Sequence, residues 1–478
     1  MPTRTRIVAT LGPASESETT IRDMARAGAG VLRLNGSHNT LQWHASVIDR
    51  VRRTAPDLPI LLDIPGRKIR TGDLPTPKTF RKGELLHLAS DPATGAPVVP
   101  VSSDRLPQLC VVGATIFADD GTITFTVTAV EGGIVTVRAE HDGVLGSRKG
   151  INVPDADLGP ASLTDRDRSM LAFAAEHGVD FVGISFVESA AHVDLVRNHL
   201  GDASATRIVS KVESARGLAN VTEIVRSSDV VMVDRGDLSV ETDVEGVALR
   251  QKMIIREAQR FATPVIVATE MLHTMISSGS PTKAEVSDIT NAVLDGCAAT
   301  MLSGETAVGA HPVTTVELMR RVIEAAEHAR VAGAMLAEST VEGPSGAIGR
   351  AISRLVSELA IDKVIAVTRS GYAARVLSAA DIRCPIIAVS DSRTAARGFG
   401  ILPGVTGVHY PGTFSRADVS HVPAVVEALW RDERIGDDDQ ILVSALAYPT
   451  SGKRMNHIET HHVGELARAL GWRRTGRG

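Results

Sequence analysis

The chain has 478 residues with 51 Lys and Arg against 56 Asp and Glu, a formal charge of −5, and this length calls for two or three domains rather than one core. The lack of a basic excess and the presence of only three Trp and three Tyr argue against a nucleic-acid partner and leave open a small anion held by a few placed cations. Cys110, Cys297 and Cys384 form neither a disulfide framework nor a CxxC knuckle, and there is no apolar signal region or bilayer-length apolar stretch, so a soluble cytoplasmic protein with no membrane association is expected.

In chain order, eight short apolar runs end in a polar or charged residue: Ile7–Thr10, Val31–Asn35, Ile60–Asp63, Phe181–Ser185, Arg207–Glu213, Val230–Asp237, Val265–Glu270 and Ala298–Ser303. Buried parallel strands read this way, and the pattern predicts a (β/α)8 TIM barrel whose chemistry gathers at the carboxyl ends of its strands. Arg33, Asn35, Asp63, Lys211, Glu213, Asp237, Thr269 and Glu305 are then expected around one pocket. Pro65 and Gly66 form a stiff turn out of the barrel. After it comes an insertion with another grammar. Thr122–Val127 alternates polar with apolar, Glu131-Gly-Gly133 supplies a turn and Ile134–Val137 answers, which predicts an antiparallel β module sitting above the strand ends as a lid. The barrel resumes with a helix capped by Leu163–Asp167 and ends after a helix from Val313 to His328. Gly343-Pro-Ser-Gly346 reads as a linker. Beyond it Lys363–Thr368, Pro385–Ser390, Val405–Tyr410 and Gln440–Leu446 alternate with helices at Gly371–Ala380 and Val422–Arg431, an α/β domain with a mostly parallel sheet. The expected domains are 1–72 with 158–342 for the barrel, 73–157 for a small β-barrel lid, and 343–478 for the C-terminal α/β domain.

Lys211 and Glu213 lie two apart on a strand and so face the same side. With Asp237 from the next strand, the two carboxylates suit a divalent ion that keeps part of its water shell, Mg²⁺ above all; a structural salt bridge is the plainer alternative for the lysine and glutamate alone. Arg33 and Arg70 carry planar forks that match phosphate oxygens, although each taken singly reads as an ordinary bridging arginine. In Arg33-Leu-Asn-Gly-Ser-His38, Asn35 and Ser37 offer hard oxygens near Asp63 for a cation, or simply a hydrogen-bonded strand end. Thr269 and Ser303-Gly-Glu305 add hydroxyls and a carboxylate fit for a proton relay, with helix capping by Ser303 as the plainer reading. The Asn456-His-Ile-Glu-Thr-His-His462 cluster is not read as a metal site, because adjacent histidines on a strand face opposite ways.

Taken in order, several stretches resemble the pyruvate kinase family: Arg6–Ser15, Arg33–His38, Ile69–Gly72, Asp119–Gly121, Lys149–Pro154, Ser210–Glu213, Arg235–Leu238, Pro264–Thr269, Pro281–Glu285 and Leu302–Thr306. The resemblance spans nearly the whole chain. It implies transfer of the phosphoryl group of phosphoenolpyruvate to ADP, giving ATP and an enolate that is protonated to pyruvate, a reaction governed by positioning and charge neutralisation. By motif, Glu213 and Asp237 would hold Mg²⁺ or Mn²⁺, and Lys211 and Arg33 would neutralise the phosphoryl group and the enolate. Thr269, Ser303 and Glu305 would stand where the enolate carbon takes its proton. Arg70, His38 and Lys149 resemble nucleotide-side contacts, Gly236 a substrate contact, and Asn35, Ser37 and Asp63 a monovalent-cation site. A homotetramer and a phosphorylated effector at the C-terminal domain are also implied.

The sequence departs from the family pattern at a few places. Lys68 stands where the family has a glutamate beside the monovalent-cation site, so its ammonium is expected to replace K⁺. Asp234 replaces an alanine and Glu270 a glutamine, both adding negative charge near anionic substrates. In the phosphate loop Thr368–Ala373, Ala373 lacks a hydroxyl. Two alternatives stand beside the family activity: a divergent paralogue using another enol phosphate or acceptor, and a catalytically silent ligand sensor. The joint presence of Lys211, Glu213, Asp237, Arg33 and Thr269 argues against silence.

Overall fold

The computed structural model describes residues 3–90, 98–154, 156–157, 159–201, 204–329, 340–380, 382–415, 418–445 and 457–473. Eight parallel strands close a barrel in sequence order: Arg6–Leu11, Val31–Asn35, Ile60–Ile64, Phe181–Ile184, Arg207–Val212, Val230–Asp234, Val265–Ala268 and Ala299–Leu302. Their period of two divides the side chains between two cores. Ile7, Ala9, Leu32, Leu34 and Leu62 pack outward under the helices, whereas Val8, Val31, Leu61, Val209, Val230, Met232 and Ile266 share the second cluster with the C-terminal domain. In phase with that second set, one step higher, come Thr10, Arg33, Asp63, Lys211 and Asp234, so the barrel interior changes from apolar to charged toward the carboxyl ends of its strands.

The helices begin where side chains satisfy their first amides. Thr164 and Asp167 form a reciprocal capping box at Asp165–Glu176, and Thr282 and Glu285 form another at Lys283–Leu294. Two expectations from the sequence are corrected. The run Val230–Asp237 stops being a strand at Asp234, because helix Arg235–Glu241 starts there and the Gly236 amide turns to donate to Thr269 Oγ1 at 2.9 Å. Gly343-Pro-Ser-Gly346 is not a linker but the first turn of helix Gly343–Glu358. Proline is at home there, since the first helical amides have no partner within the helix.

Above the barrel, seven strands form the inserted sheet, in the spatial order Ile69–Arg70, Gly150–Asn152, Thr115–Ala118, Ile123–Glu131, Ile134–Ala139, Leu85–Ala89 and Val98–Pro100. A bridge between Thr71 and Val101 joins its two edges, which rolls the sheet around Phe80, Phe125 and Val137. The first of these strands, Ile69–Arg70, precedes residue 73. Beneath the barrel, the C-terminal sheet runs Val405–His409, Ile386–Ser390, Lys363–Val367, Gln440–Ala445 and His457–His462, parallel except for the last strand. Leu446 and Asn456 lie outside the described residues. Asp180, fully buried, fastens this domain to the barrel by accepting from Arg52 at 2.8 Å and from Arg397 at 2.9 Å. Among the described residues, no helix is long and apolar enough to cross a membrane.

Candidate active site

The barrel mouth is a closed network of charges. Arg33 meets Asp63 Oδ2 through Nε at 3.2 Å and Nη2 at 2.6 Å, and its Nη1 donates to Thr10 Oγ1 at 3.1 Å. Lys211 is held by Glu213 Oε1 at 2.6 Å, Asp234 Oδ2 at 3.0 Å and Asp63 Oδ2 at 3.5 Å, and it donates to Ser185 Oγ at 3.2 Å. Arg33, Asp63, Lys211, Glu213, Asp234 and Asp237 are all buried. Burial disfavours the Lys211 ammonium, yet Asp63, Glu213 and Asp234 outweigh it and hold its pKa well above the usual range. Burial pushes the Glu213 carboxyl up to about 8, with Asp237 and Asp234 adding to the shift and Lys211 opposing it.

Lys68 is placed differently from the expectation. Its ammonium does not pair with Asp63, whose carboxylate is already held by Arg33 and Lys211. It lies 2.5 Å from Asp237 Oδ1 and 3.6 Å from Asp120 Oδ1 on the lid. Asn152, also on the lid, donates to Asp237 Oδ1 at 3.3 Å and to Glu241 Oε1 at 2.8 Å. The lid therefore closes over the site through polar contacts to the helix that carries Asp237.

One carboxylate oxygen each from Glu213, Asp234 and Asp237 can be chosen within 4.8 Å of one another. Asp63 Oδ1 is buried and accepts no hydrogen bond, and the buried Glu213 Oε1 has the Lys211 ammonium as its partner. An all-oxygen, carboxylate-rich set of this kind fits Mg²⁺ or Mn²⁺ and does not suit softer metals.

The remaining expected residues divide into those that line the mouth and those that fasten it. Asn35 Oδ1 accepts from the Ser37 amide at 3.1 Å, and Ser37 Oγ accepts from Arg70 at 3.3 Å. His38 is exposed on a basic rim; its imidazole is held below the usual pKa, first by partial burial and then by Arg70, Arg33, Arg148 and Lys149. Lys149 is on the same rim, paired with Asp119 at 2.8 Å. Thr269 and Glu270 both take left-handed φ values, 70° and 56°, and for a β-branched residue that is strain held by its surroundings. Arg235 supplies the hold: it donates to the Thr269 carbonyl at 2.5 Å and the Ala268 carbonyl at 3.2 Å and is braced by Asp288 at 2.7 Å. Glu270 itself is exposed.

Ser303 differs from the capping reading, and Glu305 is held in place by backbone amides. Glu305 is buried, and its two carboxylate oxygens accept from the Leu272 amide at 3.2 Å and the Ser303 amide at 2.7 Å. It ties two strand ends together, while the Ser303 side chain makes no cap bond. Sequence reasoning did not single out Thr10, Ser185, Asn152 or Arg235. Thr10 and Ser185 do end two of the apolar runs, and that position was the available signal. The role of Arg235 depends on a carbonyl more than thirty positions away and has no local signature.

A family model described as "Pyruvate kinase, barrel domain" matches residues 2–316, and one described as "Pyruvate kinase, alpha/beta domain" matches residues 346–458. Among curated relatives, a pyruvate kinase of Thermococcus litoralis is 36% identical over 433 residues, covering 87% of this chain and 90% of the relative. One from Agrobacterium vitis is 38% identical over 415 residues, covering 85% and 86% respectively. One from Geobacillus stearothermophilus is 33% identical over 479 residues, covering 98% and 81%.

Proposed function

Because this chain belongs to the pyruvate kinase family and is a phosphotransferase, we propose that it transfers the phosphoryl group of phosphoenolpyruvate to ADP, yielding pyruvate and ATP, without needing K⁺. The observation that carries this reading is the Lys211–Glu213–Asp63–Arg33 network, cations and carboxylates interleaved at the buried barrel mouth. Phosphoryl transfer requires charge neutralisation more than a protein nucleophile. Lys211 and Arg33 sit where they can face the phosphoryl oxygens and then the enolate oxygen left when the P–O bond breaks. Mg²⁺ or Mn²⁺, when held by Glu213 and Asp237, supplies further positive charge to the transferring oxygens. The basic rim of Arg70, His38 and Lys149 suits the ADP phosphates, with Gly236 in the substrate cradle. The Thr269 side of the mouth, its loop fixed by Arg235 and Glu305, holds the water through which the enolate carbon takes its proton.

The Lys68 ammonium, which pairs with Asp237 and not with Asp63, adds a fixed positive charge to the mouth from that neighbouring position, and in this reading that charge makes a monovalent ion at Asn35, Ser37 and Asp63 dispensable. The Thr368–Ala373 loop, whose Thr368 Oγ1 accepts from the Gly371 amide at 3.1 Å, is the place for a phosphorylated effector. A cytoplasmic homotetramer completes the reading. A coupled assay with phosphoenolpyruvate, ADP and Mg²⁺ tests it. Pyruvate should form at the same rate when K⁺ is replaced by tetramethylammonium at constant ionic strength. Absence of pyruvate overturns the activity, and strong K⁺ activation overturns the role of Lys68.

A further inference from the structure

Within the barrel mouth the cations are Arg33, Lys68 and Lys211, and the anions are Asp63, Glu213, Asp234 and Asp237. Remove Asp234 and the rest fall into three one-to-one pairs: Arg33 with Asp63, Lys211 with Glu213 at 2.6 Å, and Lys68 with Asp237 at 2.5 Å. Counting only the buried side chains, with Asp120 left aside on the exposed lid and Glu213 taken as the carboxylate a cation would meet, such a pocket is neutral, and an ammonium sits on each of the two carboxylates meant for the divalent ion. A dication entering it would compete with two covalently tethered charges and gain no net attraction. Asp234 changes both conditions. It faces the interior in phase with Val230 and Met232, is 7% exposed, and reaches Lys211 at 3.0 Å. Lys211, which otherwise has only the more distant Asp63 at 3.5 Å, can therefore leave Glu213 for a close carboxylate partner, and the buried groups of the pocket together carry one excess negative charge. Lys68 likewise has Asp120 on the lid, at 3.6 Å, as its second partner.

We propose that Asp234 is a specificity-determining residue of this site: it takes up the Lys211 ammonium and supplies the negative charge that lets Glu213 and Asp237 accept a divalent cation in a pocket that also contains Lys68. The inference rests on the reading of Glu213 and Asp237 as the ligands of that ion. It assigns Asp234 the part of counterweight to Lys68, so the two should be coupled and not merely both important.

The test is Mn²⁺ binding to the full-length protein without substrate, followed by calorimetry and by the electron paramagnetic resonance of free Mn²⁺. Asp234→Asn, close to isosteric, should weaken Mn²⁺ binding by about 10-fold or more, the scale of losing one nearby buried charge. Asp234→Asn combined with Lys68→Gln removes one charge of each sign and should bring affinity back to within about threefold of the unmodified protein. Unchanged affinity in the single variant overturns the proposal, and so does a double variant that fails to recover. Thermal unfolding of each variant establishes that it is folded, and Asp234→Ala replaces Asp234→Asn if the latter is not. Glu213→Gln is the separate control: wild-type Mn²⁺ affinity in that variant would overturn the ligand assignment itself.

Discussion

Lys68 Nζ lies 2.5 Å from Asp237 Oδ1, so a residue at the root of the lid touches a carboxylate assigned to the divalent ion. Burial disfavours the ammonium, but Asp237 and Asp120 outweigh that and raise its pKa, keeping the charge in place. Lys68→Glu exchanges this cation for an anion beside Asp237, Asp120 and Glu213. Turnover of that variant in tetramethylammonium should fall by about 10-fold or more and recover when K⁺ is added. Steady-state rates at saturating substrate, compared in the two salts, check this. A variant indifferent to K⁺ would count against the charge argument.

Lys211 is the point where Asp63, Glu213 and Asp234 converge. Lys211→Met retains most of the volume and removes the charge. It should lower kcat by about 100-fold or more while phosphoenolpyruvate still binds, as expected when one preorganised charge partner of a developing anion is lost. Near-normal turnover would remove Lys211 from the mechanism.

His192 is buried at 1% exposure on helix Ala190–Leu200. Burial, assisted by Arg67, lowers its pKa from 6.5 to about 4. A depressed folded-state pKa stabilises the fold above the unfolded value, and that contribution is lost as pH falls from 6.5 toward 4. His192→Leu should therefore lose about 2 kcal/mol less stability than the unmodified protein between pH 7 and pH 5. Urea unfolding of both proteins at the two pH values measures the difference, and equal acid sensitivity would refute it.

Asp180→Ala leaves Arg52 and Arg397 facing a buried hole where a carboxylate took both. Removing one partner from a buried ion-pair network costs about 3–5 kcal/mol. Because the two arginines belong to different domains, the loss should appear as earlier, separate melting of the C-terminal domain in calorimetry. A single unshifted transition would show that the apolar cluster beneath the barrel, in which Phe399 of the C-terminal domain joins Val8, Val31 and Leu61 of the strands, is enough to join the domains.

The parts of this molecule that could be read from sequence are those with a period. Arg33, Asp63 and Lys211 fall in step with inward-facing valines and leucines, so the alternation alone points them into the barrel mouth. Asp234 was legible as a departure from a pattern but not as a partner of Lys211, since the run seemed to stay extended to Asp237 and the helix beginning at Arg235 was hidden. The anchoring of Glu305 was not legible, because nothing local shows that its carboxylate accepts from the amides of Leu272 and Ser303. Lys68 stands only five positions from Asp63 in sequence, yet the lid carries it to Asp237. Gly343-Pro344 has the composition of a linker, and its helical start is set by the apolar face that Ile352 and Val356 present further along the same helix.

Gly150 stands opposite Arg70 in an antiparallel pair, so the chain leaves for the insertion and returns from it along two neighbouring strands, about 5 Å apart. The insertion is in effect a cassette with its ends already together. Replacing everything between those two positions by a two-residue hairpin turn would leave the barrel's eight-strand ring uncut. A foreign domain with equally close termini could be spliced into the same seam. Exchange of this module by recombination would then leave the closed ring of strands, and most of the charge network within it, untouched.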